Sequence, residues 1–254
     1  MGCTQATGTD AGETISRSSK AKLEKVCWLA LESNPDVLNT FSWQVGLPNI
    51  YEFVDVVGLD FDSLQTVPGP VLAVLLLYKY SNTLEKFKQE QRSQLTPPDE
   101  SALHRMVYLK QHVGGACGTI ACIHGLANSK VKESIPEDSP LGIYLLSIRG
   151  KTPHDAGMLL ADAKEIHAAS QASAQRGQTA TVNQAGVRLG RHFIAFVEVD
   201  GHIWELDGRA NAFPIDHGVT NENFLLRTAE IIRTDFMEKD PELMEFGVMA
   251  LVRQ

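Results

Sequence analysis

The stretch GRHFIAFVEVDGHIWELDGR, residues 190–209, decides how this chain is read. Two runs rich in Phe, Ile, Val and Trp flank Asp200-Gly201, a dipeptide that favours the tight turn between antiparallel strands. With the turn there, Val199 faces His202, Ile194 faces Asp207 and His192 faces Arg209. His192 and Asp207 then stand on one face as diagonal neighbours, about 7–8 Å apart at Cα, a gap that an imidazole and a carboxylate can close. A carboxylate so placed orients a histidine for proton transfer. His202 points to the opposite face, beside Trp204 and Leu206, and reads as structural. A lone strand histidine is usually no more than a satisfied polar residue, so the pair needs a nucleophile from elsewhere.

KQHVGGACGTIACIHGLAN, residues 110–128, offers one. From Ala116 to about Ala127, small and apolar residues fall all round the helical circle, the pattern of a helix enclosed on every side. Cys117 and Cys122 are about 140° apart on that helix, so neither a shared metal nor an intrahelical disulfide is expected. Cys117 falls in the first turn, after Gly114-Gly115, where free N–H groups and the positive dipole end stabilise a thiolate. Cys122 lies mid-helix and reads as a small buried hydrophobe. His124 shares the face of Cys117 but sits about 10 Å along the axis, beyond the roughly 3 Å reach of a general base. Gln111 precedes Cys117 at the end of MVYLK, 106–110, a short β-prone run. Its amide could stabilise an oxyanion together with the Cys117 N–H, or simply end a strand.

The rest of the chain narrows the class. Its 254 residues hold 43% hydrophobic and 21% charged side chains, ordinary for a soluble globular protein. A net charge of -8 argues against a nucleic-acid partner, since phosphate contact needs clustered Lys and Arg. The four cysteines Cys3, Cys27, Cys117 and Cys122 form no CxxC pair, so no metal or other cofactor is expected. The start lacks a secretory signal, and the apolar run VLAVLLLY, 71–78, is too short to cross a bilayer. A reduced, cytoplasmic protein is expected, with the nucleus also open to it. Gly2-Cys3 begins as dual acylation does, but Ala6 breaks the myristoylation pattern. A disordered tail over 1–20 is the stronger expectation.

Elsewhere, Asn34-Pro35 opens a helix with Val37, Leu38 and Phe41 inward, and 71–78 reads as a buried strand. QRSQLTPPDES, 91–101, reads as a loop. Ser139-Pro140 and Thr152-Pro153 open two more helices, the second with a stripe of Ala156, Leu159, Leu160, Ala163 and Ile166. AASQASAQRGQTATVNQAG, 168–186, carries no aromatic and reads as a long loop of the kind that forms lids. The tail DFMEKDPELMEFGVMALVRQ reads as a short helix and a strand, FGVMALV. Residues 21–254 form one mixed helix-and-sheet domain.

Taken together, WLALESNPDVLNTF, DVVGLD with VPGPVLAVLLLY, KQHVGGACGTIACIHGLAN, HFIAFVEVDGHIWELDGR with FPIDHG, and FGVMAL resemble the ubiquitin C-terminal hydrolases, papain-like cysteine deubiquitinases, over about 21–254. The resemblance implies an α/β fold of the α+β kind, a central mostly antiparallel sheet flanked by helices, with a knotted backbone. It implies Cys117 as nucleophile, His192 as general base and acid, Asp207 as its orienting carboxylate and Gln111 as the oxyanion-hole donor. It also implies an active-site crossover loop over about 167–190, admitting small or unfolded leaving groups. The reaction implied is hydrolysis at the C-terminal Gly of ubiquitin, whose basic tail suits an acidic enzyme. Another ubiquitin-like modifier such as NEDD8 and a ubiquitin-binding protein with weak turnover are the alternatives. A monomer is expected. Two positions depart from the family pattern: Gly115 stands where Asn is usual, and Gly125 where Ala or Ser is usual. The turn is expected to survive the first, and the second to cost the helix about 1 kcal/mol at most.

Overall fold

The computed structural model describes residues 27–177, 190–210, 212–220, 223–242 and 245–254. The 1–20 tail, the Gly2-Cys3 start and half of the expected crossover loop, 178–189, lie outside them. The hairpin forms as its turn chemistry dictates: β3 (Arg191–Val199) pairs antiparallel with β4 (His202–Leu206), Val199 opposite His202, in the register read from the sequence. Asp200 and Gly201 take φ of 54° and 75°, the left-handed pair such a turn requires. The ladder ends at Ala195 and Leu206, so Asp207 follows the strand rather than pairing within it.

Four more strands complete an all-antiparallel sheet. They are β1 (Tyr51–Asp55), β2 (Val71–Lys79), β5 (Ile215–Val219) and β6 (Phe246–Arg253), in the order β1-β6-β2-β3-β4-β5. The strands alternate sides, so the sheet separates two apolar cores. On one face Ala73, Leu75, Phe193, Ala195, Val197 and Met249 pack against helices; on the other Val74, Leu76, Ile194, Phe196, Val248 and Ala250 do so.

The first layer contains α1 (Pro35–Gln44), α5 (Cys117–Ala127), α6 (Pro140–Ser147), α7 (Pro153–Asp162) and α8 (Lys164–Ala174). The second contains α3 (Asn82–Gln94), α9 (Phe224–Ile232) and a π turn, Arg233–Met237. Short α2 (Phe61–Gln65) and α4 (Glu100–Arg105) lie in the connections. Asn34, Ser139 and Thr152 cap α1, α6 and α7 with their side chains, each before a proline. α5 is central, with every residue after Cys117 buried. Gly125 allows the close approach: a β-carbon there would come within 3.3 Å of Ala73 Cβ on β2.

Four expectations need correcting. MVYLK joins no strand: Asn128 Oδ1 accepts from Val107 N–H (2.7 Å), His124 Nε2 from Leu109 N–H (3.0 Å) and the Pro153 carbonyl, on α7, from Lys110 N–H (2.9 Å). QRSQLTPPDES is not one loop, since 91–94 continue α3 and α4 begins at Glu100. The crossover loop cannot begin at 167, because α8 runs to Ala174. Its Ala and Ser residues are not loop composition; Ala169, Ser170, Ser173 and Ala174 are buried, and Ser170 shares a 2.8 Å hydroxyl hydrogen bond with Thr119 of α5. The stripe from Ala156 to Ile166 is likewise two helices broken at Ala163.

The second core contains an ion pair. Lys88 of α3 donates to Glu205 of β4 at 2.9 Å, with side chains 4% and 1% exposed, and His217 of β5 reaches the same carboxylate at 3.0 Å. The Lys88 ammonium also lies 4.3 Å from the Phe236 ring centre. Burial raises the Glu205 pKa, but Lys88 and His217 override it and hold it at about 2. That stabilisation is present above the unfolded carboxyl's pKa and is lost as pH falls toward 2. Lys88→Met should cost about 3–5 kcal/mol in urea unfolding at neutral pH, by leaving a buried carboxylate without its cation; a cost under about 1 kcal/mol would contradict this role.

Candidate active site

Gly114 and Gly115 lead into α5. Gly115 has φ +77°, and a β-carbon there would lie 2.1 Å from the Trp28 carbonyl oxygen. The turn is therefore preserved, but by glycine alone: the segment at Trp28 fills the space an asparagine side chain would need. Trp28 N–H donates to the Gly114 carbonyl at 2.8 Å, so the start of the described chain braces the turn. Cys117 is the first residue of α5, with no side chain capping the helix above it.

His192 and Asp207, expected as diagonal neighbours, meet. The imidazole Nε2 donates to Asp207 Oδ1 at 2.7 Å, since an ionised carboxylate can only accept, and both side chains are almost wholly buried. The same oxygen accepts the N–H groups of Arg209 (2.9 Å) and Ala210 (3.1 Å). Burial raises the Asp207 pKa, but His192 and these two N–H groups hold it well below the carboxylate range. Burial lowers the His192 pKa, yet Asp207 and then Cys117 raise it to about 10. Burial raises the Cys117 thiol, and the His192 imidazole overrides it, aided by the N–H groups of Phe193 and Gly118, so its pKa ends below the ordinary cysteine value. The three groups favour a thiolate–imidazolium pair.

This sets a pH profile. As pH falls through the lowered Cys117 pKa the nucleophile is protonated, and as pH rises through about 10 the imidazolium loses its proton. Hydrolytic kcat/KM should therefore trace a bell whose acid limb lies below the ordinary thiol range. An acid limb at or above pH 9, the pKa of an unassisted thiol, would contradict the pairing.

The remaining candidates separate cleanly. Cys122 is fully buried and its thiol is driven up by burial alone, so it stays protonated. His124 is fully buried, lowered to about 4 chiefly by burial, and spends Nε2 on Leu109. It is a pin for the segment that presents Gln111. His202 bonds Asp216 at 2.9 Å on the partly exposed face. Gln111 is held by its own N–H, which donates to the Gly208 carbonyl at 2.9 Å, while its side-chain amide donates to the Val113 carbonyl at 2.9 Å. The Tyr108 hydroxyl adds a 2.6 Å bond to the Asp207 carbonyl. The Gln111 segment is thus stitched to the turn that carries Asp207. Two residues escaped the sequence reading: Tyr78 and Tyr80, whose rings lie 5.9 and 5.7 Å from that of His192. Their period-two spacing at the end of β2 could have placed both on the His192 face. Among the described residues no group of three or more His, Cys, Asp or Glu is placed to hold a metal, and no helix is long and apolar enough to cross a membrane.

Known proteins resemble this chain over most of its length. The family model for ubiquitin carboxyl-terminal hydrolase, family 1, matches residues 28–238. A ubiquitin carboxyl-terminal hydrolase of Drosophila melanogaster is 36% identical over 224 residues, 88% of this chain and 96% of the relative. The human isozyme L1 is 34% identical over 223 residues, 88% of this chain and 97% of its own length. Among solved structures, the Trichinella spiralis UCH37 catalytic domain bound to ubiquitin vinyl methyl ester superposes with a TM-score of 0.69, covering 92% of this chain and 99% of that one at 18% identity. The fold, the matched span and the near-complete coverage of these relatives agree: this chain belongs to the ubiquitin carboxyl-terminal hydrolase family 1, the papain-like cysteine hydrolases.

Proposed function

We propose that this protein is a deubiquitinase that cleaves ester, thioester, amide or isopeptide bonds at the C-terminal Gly of ubiquitin. The observation that carries the reading is the buried His192–Asp207 hydrogen bond beside a thiol of lowered pKa at a helix N-terminus. Cys117 thiolate attacks the glycine carbonyl. The Cys117 N–H and, once its amide leaves Val113, Gln111 stabilise the oxyanion. His192 protonates the leaving atom as the carbonyl re-forms, giving a thioester. It then takes a proton from water as water attacks, and thiolate and imidazolium are regenerated. Asp207 holds the imidazole in register and supports its charge throughout.

Ubiquitin as partner is supported by the family and by the acidic charge of -8, which favours a basic partner tail. Small or unfolded leaving groups and a monomeric enzyme are part of the same reading. A free thiolate nucleophile also suits a reducing compartment such as the cytoplasm. Release of a fluorogenic amine from the ubiquitin C-terminus tests it, with the same amide of NEDD8 in competition. Turnover of the ubiquitin amide, little affected by equal NEDD8, is expected. Preferential turnover of NEDD8 would reassign the modifier, and ubiquitin binding without hydrolysis would reduce the protein to a binder.

A further inference from the structure

A cleft of about 460 Å³ opens beside the His192–Asp207 pair, lined by Tyr80, the first turn of α3 (Ser81, Asn82, Glu85), Gly190, Arg209 and Ala210. Its position follows from the strands. Tyr80 continues β2 and donates its N–H to the Gly190 carbonyl at 2.5 Å, while Arg209 and Ala210 are the residues whose N–H groups hold Asp207. Of the two tyrosines against His192, Tyr78 is buried and Tyr80 only half-buried, so Tyr80 forms the wall between the imidazole and the cleft. The Arg209 guanidinium lies 4.7 Å from the centre of that ring. Stacking fixes a long side chain that solvent would otherwise leave free.

The charge balance at the cleft is positive. Among the described residues Arg209 makes no ion pair. Glu85, the one carboxylate in the lining, is taken by Arg92 at 2.9 Å. The first turn of α3 adds the positive end of a thirteen-residue helix. Burial and the Asp207 charge push the Tyr80 phenol up to about 12, so it keeps a proton to donate.

The chemistry of the reaction says what enters. Since His192 must give its proton to the leaving atom from Nδ1, the ring nitrogen that Asp207 leaves free, the leaving group lies against the imidazole and the acyl group on the Cys117 and Gln111 side. The guanidinium is within about 10 Å of the imidazole, a gap that one residue of about 3.5 Å spans with a hydrogen bond of about 3 Å at each end. We propose that the Tyr80–Arg209 cleft is a leaving-group subsite that selects a carboxylate one residue beyond the scissile bond, from an acidic side chain or a free α-carboxylate. This rests on the deubiquitinase reading.

The test uses four substrates that share ubiquitin as acyl group, joined at its C-terminal glycine to glycinamide, free glycine, aspartic acid α-amide or lysinamide. All pass through one thioester, so differences in kcat/KM report the leaving group: its contacts and the basicity of its amine, of which substitution of Arg209 changes only the first. The two carboxylate-bearing substrates should exceed glycinamide by roughly tenfold, with lysinamide slowest. Arg209→Gln should bring all four to within about twofold of one another, and Arg209→Glu should favour lysinamide. Ratios within one preparation are independent of the folded fraction, so a partly unfolded variant does not blur the result. A gain for only one of the two, free glycine with its α-carboxylate or aspartic acid amide with its side chain, also supports the subsite and identifies which carboxylate it takes. Equal rates on all four, or a preference that survives in Arg209→Gln, overturn this assignment while leaving the enzyme reading intact. Hydrolysis of none, with Cys117 unreactive toward a ubiquitin electrophile, overturns the enzyme reading and this one with it.

Discussion

Cys117→Ala should abolish hydrolysis, lowering kcat/KM by at least ~10⁴-fold, the scale of deleting a nucleophile. It should also leave ubiquitin binding in place. The side chain removed is small and only partly buried, at the edge of the first core where α5 starts, so the fold should tolerate its loss. Cys122→Ala is the matched control. It removes one buried sulfur from the middle of the same helix, costs roughly 1 kcal/mol of stability, and should leave kcat/KM within about twofold. The contrast comes from helix geometry, which turns the two thiols away from each other, and from environment. One thiol is lowered by His192, whereas the other is raised by burial alone. An active Cys117→Ala or a dead Cys122→Ala would reverse the assignment.

Asp207→Asn should lower kcat/KM by roughly 10²–10⁴-fold, the range of positioned acid–base catalysis. The amide oxygen could still accept from His192 and from the N–H groups of Arg209 and Ala210, so the turn should survive. What is lost is the negative charge that raises the imidazole to about 10. The sign follows: without Asp207 the buried imidazole loses its proton at lower pH, so the alkaline limb of the profile moves down. A structural role for Asp207 alone would lower the melting temperature and leave that limb where it was. The diagnostic is thus the shift of the limb, measured as kcat/KM against pH beside the parent.

The parts of the fold that were legible in the sequence are those fixed by local rules. Asp200-Gly201 admits left-handed angles at two successive residues, so the hairpin and its register followed, and with them the approach of His192 to Asp207. Cys117 could be preferred over Cys122, and His124 set aside as its base, because helical rise and rotation are constant. What could not be read depends on partners distant in the chain. MVYLK has strand composition, yet the N–H groups of Val107 and Leu109 go to Asn128, just past α5, and to His124 on it. The Ala- and Ser-rich start of the supposed loop is helix, because small residues are what close packing of α8 on α5 and α1 demands. α9 went unremarked although Asn223 caps it with bonds to Leu225 and Leu226. The Lys88–Glu205 pair spans 117 positions, and no periodicity announces it. The Gly115 departure shows the limit from the other side. Its backbone angle was foreseeable, but the Trp28 carbonyl that excludes any side chain was not.

The central claim is that the thiol at the start of α5, paired with His192 and Asp207, is the group that attacks the C-terminus of ubiquitin. Ubiquitin carrying a C-terminal vinyl methyl ester tests it directly, by mass spectrometry of the intact protein and then of its peptides. The account predicts a single adduct on Cys117, absent from Cys117→Ala and present in Cys122→Ala. A protein that binds this probe without forming an adduct, or that carries it on Cys27 or Cys122, would contradict the account.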